Sequence, residues 1–297
     1  MVKVMRIAYL LLCHKNFEQI EMLIKALDDG YSDFYIHVDK KIECFPKIDS
    51  SNIYYLDVSE RIDVQWASYQ MIEATIALIK KCINSNLIYD YVILLSGQDY
   101  PIMSSEKIQR FLSDNVPNNY IEVLEDDNPI LKRYEKRNSI IYPKWIINRS
   151  FFIKCVKKIY IYISGGYNKT FVLFKRKKTI PMRFYYGSQW WALRRECLQW
   201  MISYLGEHPE FCDFFKLSIT PDECFFQTLF MASPFAEQRA NRIIYFEWDK
   251  NQNNPKLIDK NKANDLIHNN NIYLFARKFD LTVDDKAIEI INNYFNN

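Results

Sequence analysis

The first 100 residues alternate short apolar runs with longer stretches in which apolar positions recur at helical spacing. The runs predict β-strands over residues 6–12, 33–39, 53–56 and 91–95. The helical spacing predicts α-helices over residues 17–27 and 68–82. Strands separated by helices are typical of βαβ units around a mostly parallel sheet, and ligands of such sheets bind at the carboxyl ends of the strands.

The pattern weakens between residues 115 and 186, where the chain becomes first polar and then basic and aromatic. It returns at Gly187 and predicts helices over residues 195–205 and 222–231, a strand over 242–248 and a terminal amphipathic helix over 285–295. At 297 residues, half of them apolar and only six of them Gly, the chain can bury a large core. We therefore expect one α/β domain over 1–297 with an insertion over 115–186.

The charges are unevenly distributed. Residues 131–195 contain 17 Lys or Arg and one acid, Glu135, for a net charge of +16, so the remainder must carry −13 to give +3 for the whole chain. Aromatic and aliphatic residues are interleaved with these cations, which suits anionic lipid head groups or a phosphate-bearing substrate. Nucleic acid would match the charge, but no nucleic-acid motif accompanies it. We expect peripheral contact between residues 132–178 and an anionic membrane; the alternative is a solvated positive face.

The seven cysteines are odd in number and scattered, and no CxxC pair is present. This pattern disfavours a zinc site and a disulfide framework and indicates reduced cysteines in a cytoplasmic protein. Lys3 and Arg6 precede a short apolar run, as in a signal peptide, but the run stops at Cys13-His14-Lys15 without a small-residue cleavage site. A buried first strand is the better interpretation. No run of 18 apolar residues occurs, so no membrane-spanning helix is expected.

Polar residues follow three of the predicted strands. His14 follows the first, Asp39 closes the second, and Asp99 lies just after the fourth, so all three are expected on one edge of the sheet. Asp39 could accept hydrogen bonds from ribose hydroxyls or a uracil N–H, and His14 could lie near phosphate. Each signal is weak alone, because a polar residue that closes a strand more often only forms a turn.

Asp222 and Glu223 follow Pro221 at the start of an apolar, helix-like segment. A proline there favours a helix start, and acids in a first helical turn are stabilised by free N–H groups and the helix dipole. Taken alone, the pair is more simply explained as a helix cap. The other interpretation is that a carboxylate held beside aromatic rings is a general base.

Seven sequence blocks occur in an order that resembles one known family. The blocks are AYLLLCHKN (8–16), FYIHVDKK (34–41), VQW (64–66), LLSGQDYPI (94–102), GSQWWALRRE (187–196), PDECFFQT (221–228) and LFARKFD (274–280). Together they resemble the core-2/I-branching glycosyltransferases, that is, glycosyltransferase family 14, with its β-1,6-N-acetylglucosaminyltransferases and peptide O-xylosyltransferases. The blocks span nearly the whole chain.

The resemblance implies a GT-A fold, which is a Rossmann-like mixed sheet flanked by helices, a UDP-sugar donor, inversion at the anomeric carbon and no metal requirement. The sequence contains no Asp-x-Asp motif of the kind that holds the metal in metal-dependent GT-A enzymes. Fixed cations must then stabilise the departing diphosphate. Lys278 matches the pyrophosphate-binding lysine of the family. For a second cation we choose Lys256, with Arg277 or Arg242 as alternatives.

The family's catalytic base corresponds to Glu223, which leaves Asp222 as a helix cap or structural partner. Trp190 and Trp191 are expected to form an aromatic wall for sugar rings, although ordinary core positions are an equal alternative for either one. Glu122 loosely matches an acceptor-contacting position. Asp99 is expected to contact sugar as well.

The resemblance also assigns roles along the chain. Residues 1–114 become the nucleotide-binding half, 115–186 an acceptor-side insertion, and 187–297 the catalytic half with the C-terminal helix.

The chain differs from animal members of this family, which carry a membrane anchor, a stem and paired cysteines. It looks like a bacterial relative that acts in the cytoplasm, on or near the inner face of the membrane. The resemblance implies transfer of a sugar, with N-acetylglucosamine favoured and glucose, galactose or xylose possible. The expected acceptor is a glycan or lipid-linked oligosaccharide in surface polysaccharide assembly. The alternative is a non-catalytic relative that binds a UDP-sugar or glycan.

Overall fold

The structure is a computed structural model that describes residues 4–142, 155–156, 158–159, 162, 175–176, 180–248, 255–270 and 272–296. The strands are β1 Ile7–Cys13, β2 Asp33–Val38, β3 Ile53–Tyr55, β4 Tyr91–Ser96, β5 Asp99–Pro101, β6 Asn119–Ile121, β7 Trp191–Arg194, β8 Arg239–Ala240, β9 Ile244–Tyr245 and β10 Phe275–Arg277. The helices are α1 Phe17–Leu27, α2 Gln70–Ile83, α3 Ser105–Asp114, α4 Leu131–Asn138, α5 Arg195–Glu207, α6 Pro209–Phe215, α7 Phe225–Met231, α8 Lys260–Asn269 and α9 Lys286–Asn296.

The main sheet is mixed and has the strand order β3-β2-β1-β4-β7-β6-β8. The first four strands are parallel, whereas β7 runs antiparallel to both neighbours, β4 and β6. Every residue of β1, β2 and β4 is buried, as expected of parallel strands covered on both faces. Helix α2 packs on β1 and β2 and also contacts α5. The predicted α/β class, a Rossmann-like mixed sheet flanked by helices, is confirmed.

A second sheet joins distant parts of the chain. Strand β10 pairs antiparallel with β5 and parallel with β9. In this register Arg277 lies directly opposite Asp99. The small sheet therefore carries the LFARKFD block to the segment that follows β4.

Three expectations need correction. The segment expected to be an insertion begins inside the main sheet, because β6 pairs with β7 and β8. The expected strand over 242–248 is reduced to β9. Residues 221–223 form a 3-10 turn, and the α-helix begins only at Phe225, so the two acids precede the helix.

Most of the basic segment 132–178, to which we assigned the membrane contact, lies outside the described residues. Within the part that the structure describes, no helix has both the length and the apolar character needed to cross a membrane. Helix α9 confirms the terminal helix predicted from the sequence.

Candidate active site

The carboxyl ends of β1, β2 and β4 lie side by side, as the sequence predicts. The Asp39 N–H donates to the Cys13 carbonyl at 2.8 Å, and the Gly97 N–H donates to the Leu12 carbonyl at 3.1 Å. His14, Asp39 and the segment that contains Asp99 therefore leave the sheet at the same edge.

Asp39 is held in place at this edge. Its carboxylate accepts from the Lys41 N–H at 3.0 Å and lies 3.1 Å from the Lys41 ammonium. The buried Arg61 guanidinium donates to the Val38 and Asp39 carbonyls at 2.8 and 2.7 Å and so fixes the end of β2. A ligand at Asp39 would meet a carboxylate that already has one cationic partner.

Cations gather where β1 and β10 end. Partial desolvation, followed by the nearby charges of Lys15 and Arg277, lowers the pKa of Lys278. Lys15 forms an ion pair with Asp280. Within the described parts of the chain, the Lys278 ammonium has no hydrogen bond or ion pair. A half-buried ammonium that is repelled by two cations favours an anionic ligand.

His14 lies next to this group. Desolvation and then the charge of Lys15 lower the pKa of His14. At neutral pH its imidazole is therefore mostly uncharged, and it could take part in hydrogen bonds with a ligand at the same edge.

Asp99 does not face a ligand space, contrary to our expectation of a sugar contact. It is fully buried, and its Oδ2 accepts from the Ser96 N–H at 2.5 Å and from the Ser96 hydroxyl at 2.9 Å. Burial raises the pKa of Asp99, and the Arg277 guanidinium at 3.5 Å opposes that rise. Asp99 is thus placed to hold Arg277.

Arg277 lies between this carboxylate and an aromatic ring. Its guanidinium carbon is 4.1 Å from the centre of the Trp190 ring, which is cation–π contact distance. Burial lowers the pKa of Arg277, and its Nε and one terminal nitrogen, Nη1, have no hydrogen-bond partner. Arg277 is therefore better placed than Lys256 to act with Lys278, because the Lys256 ammonium is half exposed and pairs with Glu247 at 2.5 Å.

The two tryptophans have different environments. Trp190 supports Arg277 and is 8% exposed. Trp191 is wholly buried in β7 and packs against Phe226 with ring centres 5.6 Å apart. Trp191 is a core residue, so its assignment to a sugar-binding wall is wrong.

Glu223 is presented by a sharp turn. Thr220 has a left-handed backbone with φ of 46°, and its N–H donates at 2.9 Å to the carbonyl of Ala67, which is also left-handed at φ 62°. Such a conformation costs a β-branched residue about 1–3 kcal/mol and is common near functional sites. The turn places Glu223 just before α7, whose residues Phe225 to Phe230 are buried.

Helix α4 supplies the partners of Glu223. The Arg137 guanidinium donates to the Glu223 carboxylate at 3.0 Å, and the Tyr134 hydroxyl lies near enough to lower the pKa of the same group. Burial raises the pKa of Glu223, while Arg137 and Tyr134 oppose that rise. The Glu223 side chain is 24% exposed, so it pairs with Arg137 and is still open in part to a ligand.

Asp222 does not cap α7. Neither the 3-10 turn nor α7 has a side-chain cap, and one Asp222 carboxylate oxygen is buried without a hydrogen-bond partner. Burial and then the adjacent Glu223 charge hold the pKa of Asp222 well above its usual range. The two acids therefore have unequal environments, and the helix cap expected for Asp222 is wrong, which leaves the alternative of a structural partner.

Glu122 is linked to the turn that carries Glu223 through Gly187 and Ser188. Its carboxylate pairs with Arg242 at 2.5 Å and accepts from the Ser188 N–H at 2.9 Å. Gly187 brings the two carboxylate segments together, because its N–H donates to the Glu223 carbonyl at 2.9 Å. A Cβ on Gly187 would lie 2.0 Å from the Glu122 carbonyl oxygen, so only glycine fits there.

Sequence reasoning missed Arg137 and Tyr134. Both were included in the basic segment, and their i, i+3 spacing on α4 is the one signal that they share a face. Asn138, next along this helix, donates to the Tyr186 hydroxyl at 3.0 Å and to the Cys224 sulfur at 3.3 Å. A cleft of about 910 Å³ opens beside α4, with Asn138 and Tyr186 in its wall.

No group of three or more His, Cys, Asp or Glu side chains that could hold a metal ion occurs within the described ranges. The cations that converge at this edge are Lys15, Arg277 and Lys278. Their side chains form a positively charged surface at this edge, which suits a polyanionic ligand.

This mixed sheet, with Asp39 and a cation cluster at the carboxyl ends of its strands, is consistent with a GT-A-like glycosyltransferase fold. Residues 7–269 match the family described as "Core-2/I-Branching enzyme", and the chain belongs to this family.

The relatives differ in how much of the chain they match. "Xylosyltransferase 2" of Rattus norvegicus is 24% identical over 320 residues, which cover 97% of this chain and 33% of that protein. "Probable beta-1,3-galactosyl-O-glycosyl-glycoprotein beta-1,6-N-acetylglucosaminyltransferase 7" of Homo sapiens is 26% identical over 118 residues, covering 36% of this chain and 26% of that protein. The chain thus spans about a third of the length of the rat relative.

The close approach at Gly187 gives a stability prediction. Gly187→Ala should lower the free energy of unfolding by about 1–3 kcal/mol or more, because a backbone oxygen cannot move aside as a flexible side chain can. Urea unfolding measures the change. Gly206→Ala is the matched control: Gly206 lies in α5, a Cβ there meets nothing within 4 Å, and the variant should be about 0.5–1 kcal/mol more stable than the wild type. Equal stability of Gly187→Ala and wild type would contradict the contact.

Proposed function

We propose that this protein is an inverting glycosyltransferase that moves a sugar from a UDP-sugar to a hydroxyl group of a glycan acceptor, with Glu223 as general base. The observation that carries the proposal is the placement of the Gly187–Trp190 segment. At one end it touches the backbone of Glu223, and at the other Trp190 supports Arg277 beside Lys278. A base and a cation cluster thus border one short segment.

Glu223 has the environment that a base requires. Desolvation raises its pKa, which strengthens it as a proton acceptor, and the charge of Arg137 opposes that rise and favours the ionised carboxylate. As the acceptor oxygen bonds to the anomeric carbon, its proton passes to Glu223. The bond from that carbon to the phosphate oxygen breaks on the opposite face, and UDP departs with the electron pair. One base suffices for this displacement, unlike the two carboxylates of glycoside hydrolysis.

The leaving diphosphate needs a counter-charge, and we propose that Lys278 supplies it together with Arg277 and Lys15. An anion at this edge would relieve the repulsion that lowers the pKa of Lys278. The absence of an Asp-x-Asp motif from the sequence supports a metal-independent reaction. His14 and Asp39, at the ends of β1 and β2, are proposed to contact the rest of the nucleotide.

We further propose that the acceptor binds on the side of Glu122 and Glu223. The two carboxylates are connected through Gly187 and Ser188, and carboxylates suit the hydroxyl groups of a sugar. The named relatives are a xylosyltransferase and an N-acetylglucosaminyltransferase, which supports a sugar nucleotide as donor. N-acetylglucosamine as the donor sugar, a role in bacterial surface polysaccharide and a membrane-bound acceptor stay predictions from the family resemblance.

The second candidate is a non-catalytic protein that binds a UDP-sugar or glycan. The ion pair between Arg137 and Glu223 is the feature that favours it, since an ion pair can have a purely structural role. Glu223→Gln separates the two candidates.

Glu223→Gln should retain UDP binding and lose turnover. The amide keeps the shape but cannot take a proton, so UDP release from the best-binding UDP-sugar should fall by about 10²- to 10⁴-fold. Thermal shift with UDP reports binding, and a coupled assay reports UDP release. Glu106→Gln, on the exposed start of α3, is the matched control. Turnover at the wild-type rate in Glu223→Gln would refute the base assignment.

Lys278→Met should weaken UDP binding by roughly tenfold or more, the effect of losing one charge-assisted hydrogen bond of about 1.5–3 kcal/mol. Isothermal titration with UDP measures it. Lys256→Met tests the cation chosen from the sequence; because Lys256 is exposed and paired with Glu247, its loss should change the affinity little. A larger effect at Lys256 than at Lys278 would reverse the assignment.

Excess EDTA should leave the rate of UDP release unchanged, because side-chain cations are proposed to do the work of a metal ion. Protein that has been dialysed against chelator and then given Mg²⁺ or Mn²⁺ is the comparison. Loss of activity with EDTA and its recovery with either ion would show that the cation cluster does not replace a metal.

A further inference from the structure

Helix α4 presents three functional groups to the turn that carries Glu223. Tyr134 and Arg137 reach the Glu223 carboxylate, and Asn138 reaches the sulfur of Cys224, the next residue. Tyr134 in turn stacks on Tyr186, with ring centres 5.1 Å apart and planes 20° from parallel. The helix is therefore fitted to the turn by several independent contacts.

Arg137 makes the most specific of these contacts. One guanidinium nitrogen, Nη1, donates to the Thr220 hydroxyl at 2.9 Å and to Glu223 Oε2 at 3.0 Å. The guanidinium carbon lies 4.8 Å from the centre of the Tyr134 ring. Arg137 thus connects the left-handed residue that starts the turn with the carboxylate that ends it.

We propose that Arg137 is a positioning residue for the base: it holds Glu223 Oε2 in one orientation and keeps the carboxylate ionised in a partly desolvated site. This role rests on the proposed function of Glu223. Arginine suits it because its terminal nitrogen Nη1 carries two N–H groups held in a fixed plane, one for each acceptor, and its charge is retained at all relevant pH values.

The groups that face Glu223 decide the direction of the effect. From α4 come Arg137, Arg133 and Tyr134, which favour the ionised carboxylate. Two groups come from the turn of Glu223 itself. The acid Asp222 opposes ionisation of Glu223, and burial raises the pKa of the Cys224 thiol. Among the described residues, Glu122 is a further acid whose charge acts on Tyr134. Arg137 is the member of this set whose direct ion pair with the carboxylate counteracts desolvation.

The pH dependence of UDP release tests the proposal, with water as the acceptor and the UDP-sugar that gives the largest thermal shift as donor. Glu223 must be deprotonated to act, so the rate should rise with pH through its pKa and then level off. Arg137→Met removes the opposite charge and raises that pKa. The acidic limb should therefore move to higher pH by about one to three units. At high pH the variant should recover much of its rate.

Two further variants separate charge from position. Arg137→Lys keeps the charge but not the fixed planar geometry of the donors, so the limb should stay near its wild-type pH while the plateau rate falls. Lys136→Met removes a cation from the exposed face of the same helix and should change neither. If Arg137→Met keeps its limb at the wild-type pH while Glu223→Gln abolishes turnover, the positioning role is refuted and the base assignment stands. If Glu223→Gln turns over normally, the proposed function itself fails.

A double-mutant cycle on urea unfolding tests the same contact without an activity assay. Arg137→Met should cost less stability in a Glu223→Gln background than in the wild type, because the charge that it pairs with is already gone. Additive effects of the two substitutions would mean that the side chains do not interact, and would overturn the proposal.

Discussion

The site depends on the close approach of two backbones at Gly187. A carbonyl oxygen of the segment after β6 occupies the space that a Cβ of residue 187 would need. This contact lets the Gly187 N–H reach the Glu223 carbonyl and the Ser188 N–H reach the Glu122 carboxylate. The chain then continues through Trp190 into β7, the strand that is antiparallel to both neighbours. One glycine thus fixes how the acid-bearing segments meet the sheet.

Electrostatic pairing organises the rest of the site. Carboxylates are matched with cations in the pairs Lys15–Asp280, Arg137–Glu223, Arg242–Glu122 and Arg277–Asp99. A charge in a partly desolvated place is costly unless it is paired, so these contacts are what allow so many charges to lie together. Among the described residues Lys278 differs, because it is half-buried beside other cations and its pKa is lowered. An unpaired cation at a sheet edge is where an incoming anion gains most.

Much of the architecture follows from local patterns. The buried runs of β1, β2 and β4 and the helical spacing of α1 and α2 depend on near neighbours in the chain, and these elements were predicted within a few residues. The expectations that were wrong have a common cause. The strand β6, the fully buried Trp191 and the 3-10 turn before α7 are each decided by partners far away in sequence. A polar, weakly periodic stretch gives no local sign that three of its residues form an interior strand of the main sheet.

The sequence by itself determined the fold class, the edge of the sheet where ligands are expected, and the acids and cations available there. Hydrophobic periodicity and the order of the motif blocks carry that information, because both are present in the linear sequence and do not depend on which residues meet in space. Only the tertiary structure decided which charges pair. Arg137 and Glu223 are 86 residues apart, and nothing local to either one specifies the other. Distance in space sets the strength of an ionic contact and the extent of desolvation, so the environment of Glu223 exists only once α4 is folded against its turn.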